Sequence, residues 1–314
     1  MARKIIIDTD PGVDDAMAIF FALKSPELDV IGLTTIFGNV HTDLATTNAL
    51  RLLEIAGRPE IPVAKGADNP MVRDYDGPVP YVHGDDGQGN VHLPLPAGRA
   101  VGQTAAEFIV EQIMAAPGEV TLVPVGPLTN IGLALRLEPR IAQNVREVVL
   151  MGGAAFCPGN ASPAAEANIR NDPEAADLVF GAPWQVTMVG LDVTHNTVLG
   201  PDHIAAYAAL DNPIAQHITR ILPHYRKFFE DWYPIQGIYV HDSSAVAYLI
   251  DPSLFKVVRY PVRVDCTSSI SRGKTWPGTG RRLLPAWEGR PAANICVEVD
   301  AHRLVELELE RIRA

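Results

Sequence analysis

Apolar and polar positions along the chain alternate between two periods. Lys4–Asp8, Asp29–Ile36, Ile61–Ala64, Val120–Val125, Glu147–Met151 and Val186–Leu191 are short runs rich in apolar and β-branched residues, most of them closed by Gly, Pro or Asp. They read as strands, and their near-continuous apolarity suits strands covered on both faces. Between them, Asp14–Leu23, Thr42–Ala56, Val101–Ala116, Thr129–Leu137 and Pro173–Phe180 carry apolar residues at helical spacing. Pro26, Gly57 and Pro117-Gly118 stand just past the ends of three of these, where a helix stops. Pro173 opens the last one, a position where its missing N–H costs nothing. Pro223–Trp232 and Ala245–Ile250 read as further helices.

This succession predicts an α/β fold: a Rossmann-like, open, mostly parallel sheet with helices on both faces. Pro261–Asp265 and Asn294–Val299 add strands at the C-terminal end, followed by a charged helix from His302. Asp74–Gly98, rich in Gly, Pro and Asp, reads as a long, mobile loop, and Phe156–Ala165 as a second irregular segment. There is no repeat, low-complexity tract or linker, so residues 1–314 read as one elaborated domain. With 314 residues and 47% hydrophobic composition, a large core is within reach.

Charge narrows the classes of partner. A net charge of −11 and a pI near 5.3 provide no basic field for a phosphate backbone, which argues against nucleic acid. Cys157, Cys266 and Cys296 are odd in number and lack metal-type spacing, as expected of reduced thiols. Arg3 and Lys4 run straight into a strand, unlike a signal peptide, and no apolar run reaches the roughly 20 residues of a membrane span. The expectation is a soluble, cytoplasmic protein.

The predicted strand ends are where chemistry gathers. The first ends in Asp8, Asp10, Asp14 and Asp15, a density of like charge that needs a cation or hydrogen-bond donors between the carboxylates. Hard cations such as Ca2+ and Mg2+ take oxygen ligands of this kind. Asp8 reads as the structural member, and Asp14 has a simple alternative as a helix N-cap. Other strand ends carry Asn39, Val125-Gly126-Pro127, and Met151-Gly-Gly followed by Asn160, Glu166 and Asn168. His241-Asp242 opens the helix at Ala245, and in a parallel sheet such ends converge on one rim. Asp242 reads as a further metal oxygen and His241 as a proton donor. His83 sits in the long loop, and His195 reads as structural.

Asp8-Thr-Asp10-Pro-Gly-Val-Asp14-Asp15-Ala closely resembles the N-terminal motif of the nucleoside N-ribohydrolases, the inosine-uridine hydrolase family. Thr34-Thr-Ile-Phe-Gly-Asn39-Val, Val125-Gly-Pro-Leu-Thr-Asn130, Met151-Gly-Gly, Glu166-Ala-Asn168-Ile and Asn171-Asp-Pro-Glu-Ala resemble that family in the same order. The resemblance implies a Ca2+ site formed by Asp10, Asp15, the carbonyl of Val125 and Asp242, completed by water and ribose hydroxyls. It implies that Asp14 and Asn39 bind the ribose hydroxyls, and that Asn160, Glu166 and Asn168 hold the sugar and its 5′-hydroxyl. Asp10 would act as base towards the attacking water, with the cation mainly orienting, and His241 with His83 would serve the departing base. The implied assembly is a homodimer or homotetramer, and the implied role nucleoside salvage.

The purine-specific branch of that family sandwiches the base between tryptophans. The His83 loop contains none, which favours a pyrimidine-preferring or base-nonspecific enzyme. Tyr225 and Phe229, four apart on a predicted helix, are candidates to line the base pocket, and Trp232 leaves room for purine stacking. Ser243-Ser244 departs from the proline and small residue common after the His-Asp pair. Two rivals remain at this stage. One is a haloacid dehalogenase-type phosphatase with Asp8 as nucleophile and Asp10 as acid; the other is an inactive Ca2+/ribose-binding protein.

Overall fold

In the computed structural model, which describes residues 2–280 and 284–314, eleven strands form. In chain order they are β1 (Arg3–Thr9), β2 (Leu28–Thr35), β3 (Val63–Lys65), β4 (Thr121–Pro124), β5 (Glu147–Met151) and β6 (Val186–Val189). These are followed by β7 (Val198–Leu199), β8 (Ile238–Tyr239), β9 (Phe255–Val264), β10 (Thr275–Pro277) and β11 (Ala292–Val299). Nine of them build one sheet in the order β10-β9-β11-β6-β5-β4-β1-β2-β3, while β7 and β8 pair as a separate antiparallel ribbon. From β6 to β3 every pairing is parallel, and β11 extends this set alongside β6. Within this sheet β9 runs antiparallel to both its neighbours, β10 and β11. The α/β, mostly parallel expectation holds.

Alternation along β1 shows how the core is divided. Ile5 and Ile7 enter one apolar cluster and Ile6 the other, as side chains with period two must. The helices Val13–Leu23, Pro213–Trp232 and Asp242–Ile250 contribute to the first cluster, and Ala105–Ala115, Thr129–Leu137 and Pro173–Gly181 to the second. Sequence order reverses between β1 and β4: β2 and β3 lie to one side, β5 and β6 to the other. A crevice outside the carboxyl ends of strands is expected at such a switch point.

Several boundaries differ from the sequence reading. The helix expected from Val101 begins at Ala105, because Thr104 and Glu107 close a capping box around its first turn. The helix expected from Pro223 begins ten residues earlier at Pro213, capped by the Asn212 side chain, with Pro223 inside it. An internal proline costs about 3 kcal/mol. Ile214, Ile218, Ile221, Leu222, Tyr225 and Phe229 bury a continuous stripe that offsets it. The strand expected at Pro261–Asp265 is the end of the longer β9, whose exposed Lys256 and Arg259 hide its pattern.

The Asp74–Gly98 segment is tied down rather than loose. It contains a short helix, Pro80–His83, and the buried Asp86 carboxylate accepts from the backbone N–H of Gln88, Asn90 and His92. Gln88 donates to the carbonyl of Gly12 at 2.8 Å. Gly89 has φ of +65°, and a Cβ there would stand 2.4 Å from the Ile221 carbonyl oxygen, so backbone meets backbone at this point. No described helix is long and apolar enough to cross a membrane.

The C-terminal helix Ala301–Arg313 buries Glu308 completely. Its Oε1 accepts from the Ser243 hydroxyl at 3.0 Å, while Oε2 has no partner among the described residues. Burial pushes this carboxyl up to about 7. A folded pKa above the unfolded one means that Glu308 favours the fold at low pH, and that this contribution is lost as pH rises through 7. Glu308→Gln is therefore expected to stabilise the protein by about 2 kcal/mol at pH 8 relative to its effect at pH 5. Thermal unfolding at the two pH values checks this; a pH-independent difference would contradict it.

Candidate active site

β1 delivers its aspartates to the switch point. Asp8 is still within the strand and does not face the crevice; its Oδ1 accepts from the Thr34 hydroxyl and from Asn130 Nδ2. Side chains rather than loop amides hold it, and burial pushes it up to about 7. A carboxylate locked in this way cannot reach a phosphate, which removes the phosphatase reading. Asn130 also donates to the Thr35 carbonyl and accepts from Ala67 N, so this motif residue supports the floor from below.

The turn after β1 divides the remaining roles. Gly12, not Asp14, occupies the N-cap of the helix Val13–Leu23. Asp15 does the capping work: its Oδ2 accepts from Gly12 N at 2.9 Å, and its Oδ1 accepts from the Thr9 hydroxyl and Asp10 N. Asp14 is left free to face outwards. Asp10 Oδ2 accepts from Asn39 N at 2.6 Å, whereas Asn39 Nδ2 donates to Asp15 Oδ2 at 2.9 Å. Asp10 lies directly beneath glycine backbone, since a Cβ on Gly126 would stand 2.6 Å from its Oδ1.

Above this floor opens a cavity of about 690 Å3. Asp14, Asn39, His83, Val125, Asn160, Glu166, Asn168, Tyr225, Phe229, His241 and Asp242 all line it. Asp10 and Asp15 are buried beneath the cavity and not on its wall. Asn168 Nδ2 donates to the carbonyl of Val125 at 2.8 Å, and Asn160 Oδ1 accepts from Ala167 N. Glu166 accepts from Gly153 N, Asn168 N and Ile169 N, capping a helical turn while its carboxylate borders the cavity. Tyr81, Phe228, Trp232 and Tyr233 also line the cavity, with Trp232 75% exposed at the mouth. Of these the sequence reading named only Trp232. Of the missed residues, Phe228 stands four before Trp232 on the Pro213–Trp232 helix, a spacing that packing alone also produces. Tyr233 caps the end of that helix, and Tyr81 belongs to the short Pro80–His83 helix, where no periodicity singles it out.

The electrostatics fit a cation. Carboxylate oxygens of Asp14, Asp15 and Asp242 lie within 4.8 Å of one another. Asp10 Oδ1 and Asp14 Oδ1 are buried with no hydrogen-bond partner among the described residues. Burial first, and then Asp15, hold the Asp10 carboxyl well above the usual range. Burial, followed by Asp14, Asp15 and Asp10, does the same to Asp242. Asp14 and Asp15 are both pushed up to about 6, mainly by burial. Unpaired buried carboxylates at this separation are neutralised by protons or by a bound cation, and the donor set is all oxygen, which suits a hard ion. The close trio contains Asp14, where the resemblance implied Asp10.

The two histidines are buried and neutral. Burial lowers His83 to about 4 and His241 to about 3. His83 Nδ1 accepts from Val13 N at 3.2 Å, so its 3.8 Å approach to Asp14 Oδ1 is no ion pair. Its ring faces Tyr225 at 5.2 Å. His195 packs beside Tyr239 and lies 5.7 Å from His241, outside the cavity wall.

Residues 5–306 match the inosine-uridine preferring nucleoside hydrolase family. A protein of Arabidopsis thaliana named "probable uridine nucleosidase 2" is 46% identical over 99% of this chain and 97% of its own length. A solved plant nucleoside hydrolase superposes with a TM-score of 0.96 at 39% identity, covering 100% of both chains. A purine-preferring ribonucleoside hydrolase from Gardnerella vaginalis superposes at 0.93, with 35% identity over 99% of this chain and 98% of its own. A cavity floored by aspartates and lined by sugar-sized polar groups thus coincides with likeness along almost the whole sequence: the chain belongs to the inosine-uridine preferring nucleoside hydrolase family, and it is an enzyme that hydrolyses ribonucleosides.

Proposed function

We propose that the enzyme is Ca2+-dependent, pyrimidine-preferring or base-nonspecific, and serves nucleoside salvage in the cytoplasm as a homodimer or homotetramer. The observation that carries the metal reading is the set of buried, partnerless carboxylate oxygens at the switch point. Asp10, Asp15, the carbonyl of Val125 and Asp242 would hold the ion, with Asp14 and Asn39 taking the ribose hydroxyls. When bound, Ca2+ supplies positive charge and orientation at the floor. It lowers the pKa of water far less than Zn2+ does, so the proton needs a protein acceptor.

Cleavage of the N-glycosidic bond leaves positive charge on the ribose and negative charge on the base. Asp10, with one oxygen held by Asn39 N and the other unpartnered, takes a proton from the attacking water. Carboxylate and amide oxygens of Asp14, Glu166, Asn160 and Asn168 surround the sugar and favour its developing charge. The neutral rings of His241 and His83, which line the cavity with Tyr225 and Phe229, would donate N–H hydrogen bonds to the departing base and so favour the negative charge that develops on it. Intact Asp10 and His241 favour an enzyme over an inactive binding module. The base preference follows from the His83 loop, which lacks tryptophan, and agrees with the uridine nucleosidase name of the Arabidopsis relative. The exposed Trp232 at the mouth is the feature that admits purines.

The direct test measures kcat/KM for uridine, cytidine and inosine before and after chelation. Uridine is expected to match or exceed inosine; a purine preference above about tenfold would overturn the base assignment. Chelation is expected to abolish turnover and lower the melting temperature, and Ca2+ to restore both, by binding linkage. Activity and melting temperature unmoved by chelation would sink the metal reading. Asp10→Asn is expected to cut kcat by about 10²–10⁴-fold with an unchanged circular dichroism spectrum. Turnover within about twofold of the wild type would remove Asp10 from the base role.

A further inference from the structure

We propose that Thr194 is a positioning residue that fixes the tautomer of His241, placing the ring proton on Nε2, towards the leaving base. The inference rests on the reading of His241 as the group facing that base. Thr194 ends the short helix Leu191–Thr194 that follows β6; it is fully buried, and its Oγ1 lies 2.8 Å from His241 Nδ1. Among the described residues this hydroxyl has no other hydrogen-bond partner. A hydroxyl has one proton to place, and a buried donor left without an acceptor costs about 1–3 kcal/mol. If Nδ1–H donated to Oγ1, the hydroxyl proton would have nowhere to go. With the hydroxyl donating to Nδ1, both groups are satisfied and the neutral ring carries its N–H on Nε2. That nitrogen has no protein partner among the described residues, and the ring lines the cavity.

The surroundings hold this arrangement in place. Thr194 N donates to the Gly190 carbonyl, and the Thr194 carbonyl accepts from Thr197 N. Val240 N, one residue before His241, donates to the Thr197 carbonyl at 2.9 Å. The β7-β8 ribbon continues the same link, so threonine and histidine are fixed to one another through backbone. The aromatic rings of Tyr239 and Phe229 and the imidazole of His195, all within about 6 Å, set the ring plane without offering Nδ1 a carboxylate. A ring-orienting partner behind a functional histidine is a general requirement of such sites.

Thr194→Val removes the hydroxyl at nearly constant volume, and Thr194→Ser keeps it. In the full-length, Ca2+-loaded protein labelled with 15N-histidine, His241→Ala identifies the His241 signals. Wild type and Thr194→Ser are expected to show the Nε2–H tautomer, and Thr194→Val a mixture. Thr194→Val should also lose about tenfold or more in kcat on uridine, with KM little changed. It should lose far less on 4-nitrophenyl riboside, whose leaving group needs no donor, and Thr194→Ser should recover both. An unchanged tautomer in Thr194→Val overturns the proposal. So does a loss of equal size on the two substrates. Equal loss in His241→Ala would instead sink the donor reading, while the tautomer spectrum still decides the role of Thr194.

Discussion

Four carboxylates are buried in one corner of this sheet, and the architecture around them follows from keeping them there. Burial raises the proton affinity of Asp10, Asp14, Asp15 and Asp242, and neighbouring carboxylates raise that of Asp10, Asp15 and Asp242 further. Some of their oxygens are assigned to protein donors: Asp15 to a helix start and Thr9, one side of Asp10 to Asn39 N. Others are left with no donor at all. The polar network stops short of neutralising the corner, and the shortfall leaves carboxylate oxygens open to a cation or to the hydroxyls of a ribonucleoside.

The topology explains why the corner lies where it does. Only between β1 and β4 do successive crossovers diverge, so only there can loops from both halves of the sheet face one crevice. Glycines at Gly38 and Gly126 let backbone close over Asp10 with no side chain between. Motif residues outside the cavity act as buttresses. Asn130 holds Asp8 and the end of β2, while Asp172 caps one helix and receives the hydroxyl of Thr129 from another.

Much of this was legible in the chain, and the reasons are local. Strands β1, β4, β5 and β6 announce themselves as apolar runs ended by Gly, Pro or Asp, and polar residues at their ends had to meet on one rim. The Asp14-Asp15 pair and His241-Asp242 followed from that logic. Local pattern failed where long-range contacts decide. Asp86 and Gln88 look like ordinary loop residues, yet their bonds to backbone give the His83 segment its fixed shape. Pro223 reads as a beginning because nothing in its neighbourhood reveals how much apolar surface the longer helix buries. Thr194 is one threonine among many, and its partner is 47 residues away.

The bond from Gln88 to Gly12 has a consequence for how this scaffold can change its substrate. It joins the wall that carries His83 to the turn that carries Asp14 and Asp15, so the two behave as one mechanical piece. Remodelling that wall to suit another base would disturb the carboxylates below it. The outer turn of the Pro213–Trp232 helix is coupled differently: Phe228 and Trp232 reach the mouth through ring contacts, Phe228 against Tyr81 and Trp232 against Phe228, and neither side chain hydrogen-bonds to the floor among the described residues. An aromatic side chain on that rim can therefore be exchanged while the carboxylates beneath keep their hydrogen bonds.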